Sequence, residues 1–257
     1  MIQMTDRWTK KKIIINADDF GMTPGVTAGI LYAHQFGIVT STTAMVNRPF
    51  AKESLTLAKN CPDLGIGLHF VLDAGKPISK NVPSLIDHSG QFLTGHFLMK
   101  SAKKTDIKTE LLAQLELLLQ WYPNVTHIDS HHHMHLHLPE ALEAVLEVAE
   151  AYKLPVRSFT ENHWHTVDST DKLYYDFYGT ENVTVPYLES ILKNIEDGVS
   201  EVMCHPAFLD PWLLAASSYT ETRMKELEIL TDNRLKEIIH DQTMELVHFG
   251  GIHHEYR

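Results

Sequence analysis

A chain of 257 residues, of which 44% are apolar and 21% charged, is large enough to fold around a substantial hydrophobic core. Its formal net charge of -11 argues against a general nucleic-acid-binding protein, which needs a basic surface to displace counterions from phosphates. The two cysteines form no disulfide framework, the first residues form no signal peptide and no apolar run is long enough for a membrane span. We therefore expect a cytoplasmic protein without a membrane partner.

Short β-branched runs alternate with helical stretches along the whole chain. Seven runs are predicted as strands, at residues 12–17, 39–45, 66–71, 125–129, 155–158, 200–204 and 245–247. Helices are predicted between them, at residues 24–36, after Pro49, and at residues 107–121, 139–152, 185–196 and 221–240. The intervening residues 73–104 are interrupted by glycine and proline and are predicted to be irregular.

About seven β/α units in this order predict an α/β fold with a parallel sheet covered by helices. The simplest such fold is an irregular or incomplete parallel β/α barrel, and an open doubly wound sheet is the alternative. The Gly-rich phosphate fingerprint of a dinucleotide-binding sheet is missing after the first strand, which favours the barrel. Since no repeat or linker divides the chain, we expect residues 1–257 to form a single domain.

Polar residues cluster where the predicted strands end. The clusters are Asp18 and Asp19 after the first strand, His69 near the end of the third, residues 129–137 after the fourth and His205 after the sixth. In a β/α barrel the carboxyl ends of the strands form the catalytic face, so residues distant in sequence would meet in one cleft. This coincidence predicts a functional site more strongly than any single motif.

The adjacent carboxylates Asp18 and Asp19 repel each other, so one of them needs a cation or a proton nearby. The structural alternative for one of the two is the N-cap of the following helix. His69 lies among apolar residues, where a buried structural histidine is the alternative to a metal ligand. For His205 the alternative is likewise a structural histidine before Pro206.

Residues 127–137 contain six of the 17 histidines of the chain. Neutral imidazole is a good ligand for divalent transition metals, but so many histidines cannot all bind one ion. Some must orient the ligands, a role that suits Asp129. A nonspecific metal-sequestering tract is the alternative. Two histidines, one carboxylate and open water positions are typical of metals that carry out hydrolysis or oxygen activation.

Five blocks in chain order carry a family resemblance: residues 16–21 (NADDFG), 40–47 (TSTTAMVN), 67–72 (GLHFVL), 127–135 (HIDSHHHMH) and 201–208 (EVMCHPAF). Together they resemble the YdjC-like carbohydrate deacetylases. The resemblance implies an irregular barrel related to polysaccharide deacetylases and a metal held by Asp19, His69 and His131. Family members are usually assigned magnesium, whereas two imidazole ligands suit zinc or another transition ion better.

The resemblance further implies a hydrolase that acts on linear amide bonds and removes acetyl groups from chitooligosaccharide-type substrates during oligosaccharide degradation. We expect Asp18 to act as general base and His205 as the acid for the departing amine. A metal-dependent sugar isomerase or phosphoesterase and a non-catalytic metal-binding protein are the alternatives. The expected partner is a small oligosaccharide, and homodimer formation is left open.

Sugar binding requires flat apolar faces and hydrogen-bonding groups. The aromatic residues expected to cap the barrel mouth are Trp164, Tyr174, Tyr175, Phe177, Tyr178, Phe208 and Trp212. The irregular residues 73–104 are a second candidate lid. Residues 213–257 lie largely outside the five blocks, so no chemistry beyond packing is predicted for them.

Overall fold

The computed structural model describes residues 10–159 and 166–252, and every pair of neighbouring strands in it is parallel. The strands are β1 (Lys11–Phe20), β2 (Ser41–Ala44), β3 (Gly65–Phe70), β4 (Val125–Ser130), β5 (Lys172–Tyr174), β6 (Gly198–Cys204) and β7 (Glu245–Leu246). The long strand β1 is central in the order β4-β3-β2-β1-β6-β5, and β7 pairs with the amino-terminal part of β1.

Helices follow most of the strands and cover the sheet. They are α1 (Pro24–Phe36), α2 (Ala51–Ala58), α3 (Gly95–Ser101), α4 (Lys104–Trp121), α5 (Met134–His137), α6 (Pro139–Tyr152), α7 (Gly179–Asn182), α8 (Val185–Lys193), α9 (Pro211–Ala216), α10 (Glu221–Leu230) and α11 (Asn233–Asp241). Short 3₁₀ turns lie at His131–His133 and Phe249–Gly251. Within the described ranges, no helix combines the length and the apolar character that a membrane crossing needs.

Single bridges extend the sheet beyond its two edges. Val156 pairs with Ile128 of β4 on one side and with Ser169, just before β5, on the other. The sheet therefore curls into an incomplete parallel β/α barrel within a single α/β domain, as the sequence predicts. Because both faces of β1, β2, β3 and β6 are covered, these strands are buried along nearly their whole length.

Two predicted elements are wrong in detail. The predicted strand at residues 155–158 pairs only at Val156, because Pro155 has no N–H to donate to a ladder. The predicted helix at residues 221–240 is two helices, α10 and α11, separated at Thr231 and Asp232. The Asp232 side chain accepts a hydrogen bond from the backbone N–H of Arg234 at 2.9 Å, so it caps the second helix.

The carboxyl end of β1 makes a tight turn that exposes its last residues to the barrel mouth. Asp19 has a φ of +71°, in the left-handed region, and Gly21 follows with a φ of +82°. A β-carbon at Gly21 would lie 2.7 Å from the Cα of Ala51, so only glycine fits there. The left-handed conformation costs Asp19 about 1–2 kcal/mol, and it persists because several partners hold the carboxylate.

Candidate active site

One cavity of about 560 Å³ opens at the carboxyl ends of the strands. All five residues predicted as ligands or catalytic groups line it: Asp18, Asp19, His69, His131 and His205. They come from β1, β3, the turn after β4 and the residue after β6. The convergence follows from the parallel sheet, which brings the carboxyl ends of neighbouring strands to the same edge.

Three of these residues direct one ligand atom each to a common point. Asp19 Oδ1 lies 3.4 Å from His69 Nε2 and 3.2 Å from His131 Nδ1, and the two ring nitrogens are 3.3 Å apart. Atoms that share one ion at about 2.0–2.2 Å lie about 3.0–3.6 Å from each other. Asp19 Oδ1 is also buried without a hydrogen-bond partner in the described part of the chain. The set therefore fits a divalent cation.

A second carboxylate orients His69 from behind. Asp129 Oδ1 lies 2.7 Å from His69 Nδ1, and Thr43 donates a hydrogen bond to Asp129 Oδ2 at 2.9 Å. Since a carboxylate only accepts, Nδ1 carries a hydrogen and Nε2 faces the other two ligand atoms. Asp129 thus occupies the orienting position that the sequence predicts for it.

Opposing effects set the pKa of His69. Burial lowers it, but the charge of Asp129, the hydrogen bond to Asp129 and the nearby Asp19 carboxylate raise it to about 10. Without a metal, His69 therefore carries a proton at neutral pH. The proton supplies the positive charge that these carboxylates require, and an ion bound at the same position would displace it.

Asp19 also contacts a residue from the carboxyl-terminal third of the chain. Arg223 Nη2 of α10 lies 2.6 Å from Asp19 Oδ2, the oxygen that does not face the histidines. Although burial raises the pKa of Asp19, the Arg223 charge and the two histidines hold it well below its usual range. Asp19 is therefore ionised, with one oxygen held by Arg223 and the other aimed at the candidate ion.

Asp18 is held by a bidentate ion pair. Arg157 Nη1 and Nη2 lie 2.8 and 2.7 Å from its two oxygens, and Asn16 donates a further hydrogen bond at 2.9 Å. Burial raises the pKa of Asp18, but Arg157 outweighs this effect and leaves the pKa below its ordinary value. Asp18 therefore stays ionised at neutral pH and keeps a fixed orientation at the cavity wall.

Arg157 forms ion pairs with three carboxylates. Besides Asp18, it contacts Asp129 Oδ2 at 3.0 Å and Glu201 Oε1 at 2.7 Å, and its side chain is fully buried. Burial raises the pKa of Glu201 to about 7 despite the neighbouring Arg157. The guanidinium thereby links the predicted base, Asp18, to the carboxylate that orients a predicted ligand, Asp129.

His205 stands beside a separate hydrogen-bonded group. Its backbone N–H donates to Glu226, which also accepts a hydrogen bond from the Tyr219 hydroxyl at 2.5 Å. Burial, followed by the charge of Arg223, lowers the pKa of His205 to about 4. The imidazole is therefore neutral at pH 7, and its buried Nδ1 has no hydrogen-bond partner among the described residues.

Four residues of this site escape the sequence analysis: Arg157, Tyr219, Arg223 and Glu226. Residues 213–257, to which the sequence assigns no chemistry, reach the site, because α10 brings Arg223 to Asp19 and Glu226 to His205. The one sign of Arg157 in the sequence is that a charged residue lies inside the predicted strand at residues 155–158. No comparable signal marks Arg223 and Glu226, since α10 has the charge density of an exposed helix.

The histidine-rich turn is an ordered part of the barrel. His135 is fully buried, its Nε2 lies 3.0 Å from the Arg157 carbonyl, and Ser130 Oγ lies 2.5 Å from its Nδ1. His127 stacks on Phe249 with ring centroids 3.8 Å apart. Of the five histidines between residues 131 and 137, His131 alone joins Asp19 and His69 in the three-ligand group, while others support its position.

The predicted aromatic cap is smaller than expected. Tyr175 and Tyr178 line the cavity, whereas Phe177 is fully buried in the core. Phe208 lines a different surface depression, and Trp212 packs edge-on against Phe50 at 5.3 Å. Trp164 lies outside the described residues. Of the predicted lid, Ala74 contributes to the described cavity wall.

Comparisons with known proteins agree with this architecture. A carbohydrate deacetylase of Geobacillus stearothermophilus is 43% identical over 235 residues, which cover 91% of this chain and 95% of that protein. A carbohydrate deacetylase of Brevibacillus brevis is 43% identical over 248 residues, covering 94% and 99%. The enzyme class predicted from the sequence, a hydrolase of acetyl amide bonds in sugars, agrees with the names of these relatives.

Solved structures support the fold. The crystal structure of an Enterococcus faecalis protein, described as a candidate cellobiose-phosphate cleavage protein, has a TM-score of 0.89 at 35% identity and covers 94% of this chain and 98% of that one. A family 4 carbohydrate esterase from Streptomyces lividans has a TM-score of 0.52 at 11% identity, over 92% and 91% of the two chains, which shows a shared fold alone. A family model described as YdjC-like protein matches residues 12–241. The chain therefore belongs to the YdjC-like family.

Proposed function

We propose that this chain is a metal-dependent deacetylase that hydrolyses the acetamide bond of N-acetylated oligosaccharides of the chitooligosaccharide type. The observation that carries the proposal is one cavity in which three ligand atoms lie 3.2–3.4 Å apart beside an ionised, fixed carboxylate. The deacetylase activity of the named relatives gives the reaction class. The open cavity, with tyrosines at its wall, suits a sugar chain.

Asp19, His69 and His131 would hold the ion. When bound, it supplies a Lewis acid that polarises the acetamide carbonyl and makes a water molecule more acidic. Two imidazole nitrogens favour zinc, cobalt or nickel over magnesium, although magnesium is the ion implied by the family resemblance. His69 is held in the required orientation by Asp129, and Asp19 by Arg223.

Asp18 is the proposed general base. It is ionised at neutral pH and lines the cavity without belonging to the three-ligand group around Asp19. Arg157 fixes both carboxylate oxygens, so Asp18 can accept a proton from the attacking water without losing its position. The ion pair with Arg157 keeps Asp18 ionised, but it also makes Asp18 a weaker base, because the guanidinium stabilises the carboxylate.

His205 is the proposed proton donor to the departing amine. Because burial and Arg223 lower its pKa to about 4, it starts neutral and must take up a proton during the reaction before it can donate one.

Arg223 lines the same cavity, and its Nη1 atom has no hydrogen-bond partner in the described structure. We propose that it donates to a substrate oxygen, either the developing oxyanion or the acetate product.

The cavity argues against the alternative reactions. A sugar isomerase or phosphoesterase on a barrel would be favoured by a lysine in the site or by two independent metal sites. No lysine is among the described lining residues. Of the three histidine-containing ligand groups in the described structure, two share His131, and in the third, Asp18, His69 and Asp129, both carboxylates are already paired with Arg157.

Acetate release tests the proposed function directly. The metal-stripped protein is incubated with diacetylchitobiose, with and without added magnesium, zinc, cobalt or nickel, and free acetate is measured. We expect acetate only with a suitable ion and none from His131→Ala, which lacks one ligand. An exposed histidine replaced in the same way, His240→Ala, is the control and should retain activity. Failure of every ion to support acetate release despite stoichiometric binding would contradict the proposed substrate.

Metal binding should release about one proton near neutral pH, because the ion displaces the proton of His69, whose pKa is raised to about 10. The apparent affinity should therefore rise with pH, by up to about tenfold per unit below that pKa. Isothermal titration calorimetry in buffers of different ionisation enthalpy measures the released protons. Asp129→Asn removes the main charge that raises the pKa, so it should reduce proton release and weaken binding about 10- to 100-fold. Identical binding enthalpies in all buffers would contradict the prediction.

A further inference from the structure

A second group of ligand atoms lies at the mouth of the same cavity. Asp73, His131 and His132 each offer one atom, and these atoms all lie within 4.8 Å of one another. His132 Nδ1 is hydrogen-bonded to Asp73 Oδ2 at 2.6 Å, so an ion bound here would replace the proton between them and move the two atoms apart. The His131 and His132 rings are tilted against each other with centroids 3.9 Å apart. The group contains the ligand types that the buried group contains, two imidazoles and one carboxylate.

One feature of the mouth group points to a cation, and a second explains how the group is formed. Asp73 Oδ1 is buried and has no hydrogen-bond partner among the described residues, which is also the condition of Asp19 Oδ1 in the buried group. In addition, His132 and His133 have φ values of +50° and +52°, which non-glycine residues seldom adopt in succession. This turn places the His132 ring against Asp73 at the surface rather than in the barrel.

Exposure increases from the buried group to the mouth. The side chain of His69 is 1% exposed, that of His131 14% and that of His132 64%. His131 belongs to both groups, so it stands between the buried ligands and the solvent. His132 is thus the most exposed histidine of the two groups, and its partner Asp73 is 11% exposed, close to the value for His131.

We propose that Asp73, His131 and His132 form a transient binding site for a divalent transition ion, which passes it to Asp19 and His69 through the shared His131. The inference rests on the metal site of the proposed function. Zinc, cobalt and nickel suit the two imidazoles, whereas magnesium, which keeps its water and prefers oxygen ligands, gains little from this route. The shared ligand makes the two groups successive positions of one ion.

The rates of zinc exchange test this proposal. Metal-stripped protein is mixed in a stopped-flow instrument with Zn²⁺ held by a colorimetric chelator, and release is followed after addition of excess chelator. For His132→Ala and for Asp73→Asn we expect both uptake and release to slow by about tenfold or more. Because a residue on the route changes both rates by the same factor, the equilibrium affinity should stay close to that of the unchanged protein.

A matched control is available in the last helix, α11. His240 is 90% exposed and lies 3.6 Å from Asp241, so His240→Ala also removes a surface histidine beside an aspartate, but one with no third ligand within residues 10–159 and 166–252. It should load zinc at the unchanged rate. Unaltered uptake in both mouth variants, or slow uptake with a proportionate loss of affinity, would overturn the proposal. Failure of the unchanged protein to bind zinc, or equal binding by His69→Ala, would instead refute the buried site and with it the proposed function.

Discussion

Asn in place of Asp18 is expected to lower acetate release about 10²- to 10⁴-fold while the protein still binds its metal ion. Asp18 lines the cavity as an ionised carboxylate but is not one of the three convergent ligand atoms of the buried group. An amide cannot accept the proton of the attacking water, so turnover should fall without loss of the ion. Acetate production and zinc stoichiometry measured on the same preparation check the two halves of the prediction.

Replacement of the neighbouring Asp19 should have a different effect from replacement of Asp18. Asp19→Asn removes the carboxylate whose Oδ1 faces His69 and His131, so it should lose zinc affinity as well as activity. Asp241→Asn, at an exposed aspartate, should change neither. In Asp18→Asn, the side-chain NH₂ group faces the Arg157 guanidinium, and two hydrogen-bond donors then oppose each other. Thermal melting must therefore show that the variant is folded at the assay temperature. Near-normal turnover of folded, zinc-loaded Asp18→Asn would exclude Asp18 as the base.

The sequence predicts the half of the site that contains the candidate ligands, because these residues follow the strands. Asp18, Asp19 and His69 each lie near the carboxyl end of a buried β run, and the parallel topology decides that such ends meet. A local pattern is enough to find them, since an apolar run followed by a polar residue is visible without knowledge of tertiary contacts. His131 is found in the same way, in the turn that follows β4.

The charged residues that hold these groups in place could not be found in this way. Arg157 occupies a segment that pairs with its neighbours only at Val156 in the described structure, and nothing local indicates that its side chain turns towards three carboxylates. Arg223 and Glu226 lie on a helix rich in charge, where a solvated face is the ordinary interpretation. They are buried because α10 packs beside α1 and directs them to Asp19 and His205, at the ends of β1 and β6. Their roles depend on long-range contacts that the local sequence does not encode.

The sequence does not predict the helix boundary at Thr231, and the reason is a different one. An aspartate followed by a polar residue is an N-cap signal, and Asp232 does cap α11. The apolar spacing continues through this position, so periodicity favours one long helix. Hydrogen bonding of the cap decides the outcome, because it satisfies backbone donors that a continuous helix would pair internally.

Arg157→Leu should reduce the free energy of unfolding at pH 8 by about 3–5 kcal/mol and also abolish activity, because it leaves buried carboxylates without their cation. Arg157 is fully buried and contacts Asp18, Asp129 and Glu201 at 2.7–3.0 Å. Urea denaturation of the metal-stripped protein, followed by circular dichroism, measures the change. Arg157→Lys keeps the charge but cannot reach three carboxylates in the same geometry, so it should lose less stability and still impair turnover.

The pH dependence of the free energy of unfolding distinguishes this electrostatic effect from a loss of packing. In the unchanged protein, Arg157 holds the pKa of Asp18 and of Asp129 below their ordinary values. Both groups therefore add stability above the unfolded pKa of about 4, and this stability is lost as pH falls through the lowered folded values. Without Arg157, burial raises both pKa values, and protonation of the folded variant relieves the unpaired charges as pH falls. The stability deficit should consequently be smaller at pH 5.5 than at pH 8, whereas an equal deficit at both would assign the loss to packing.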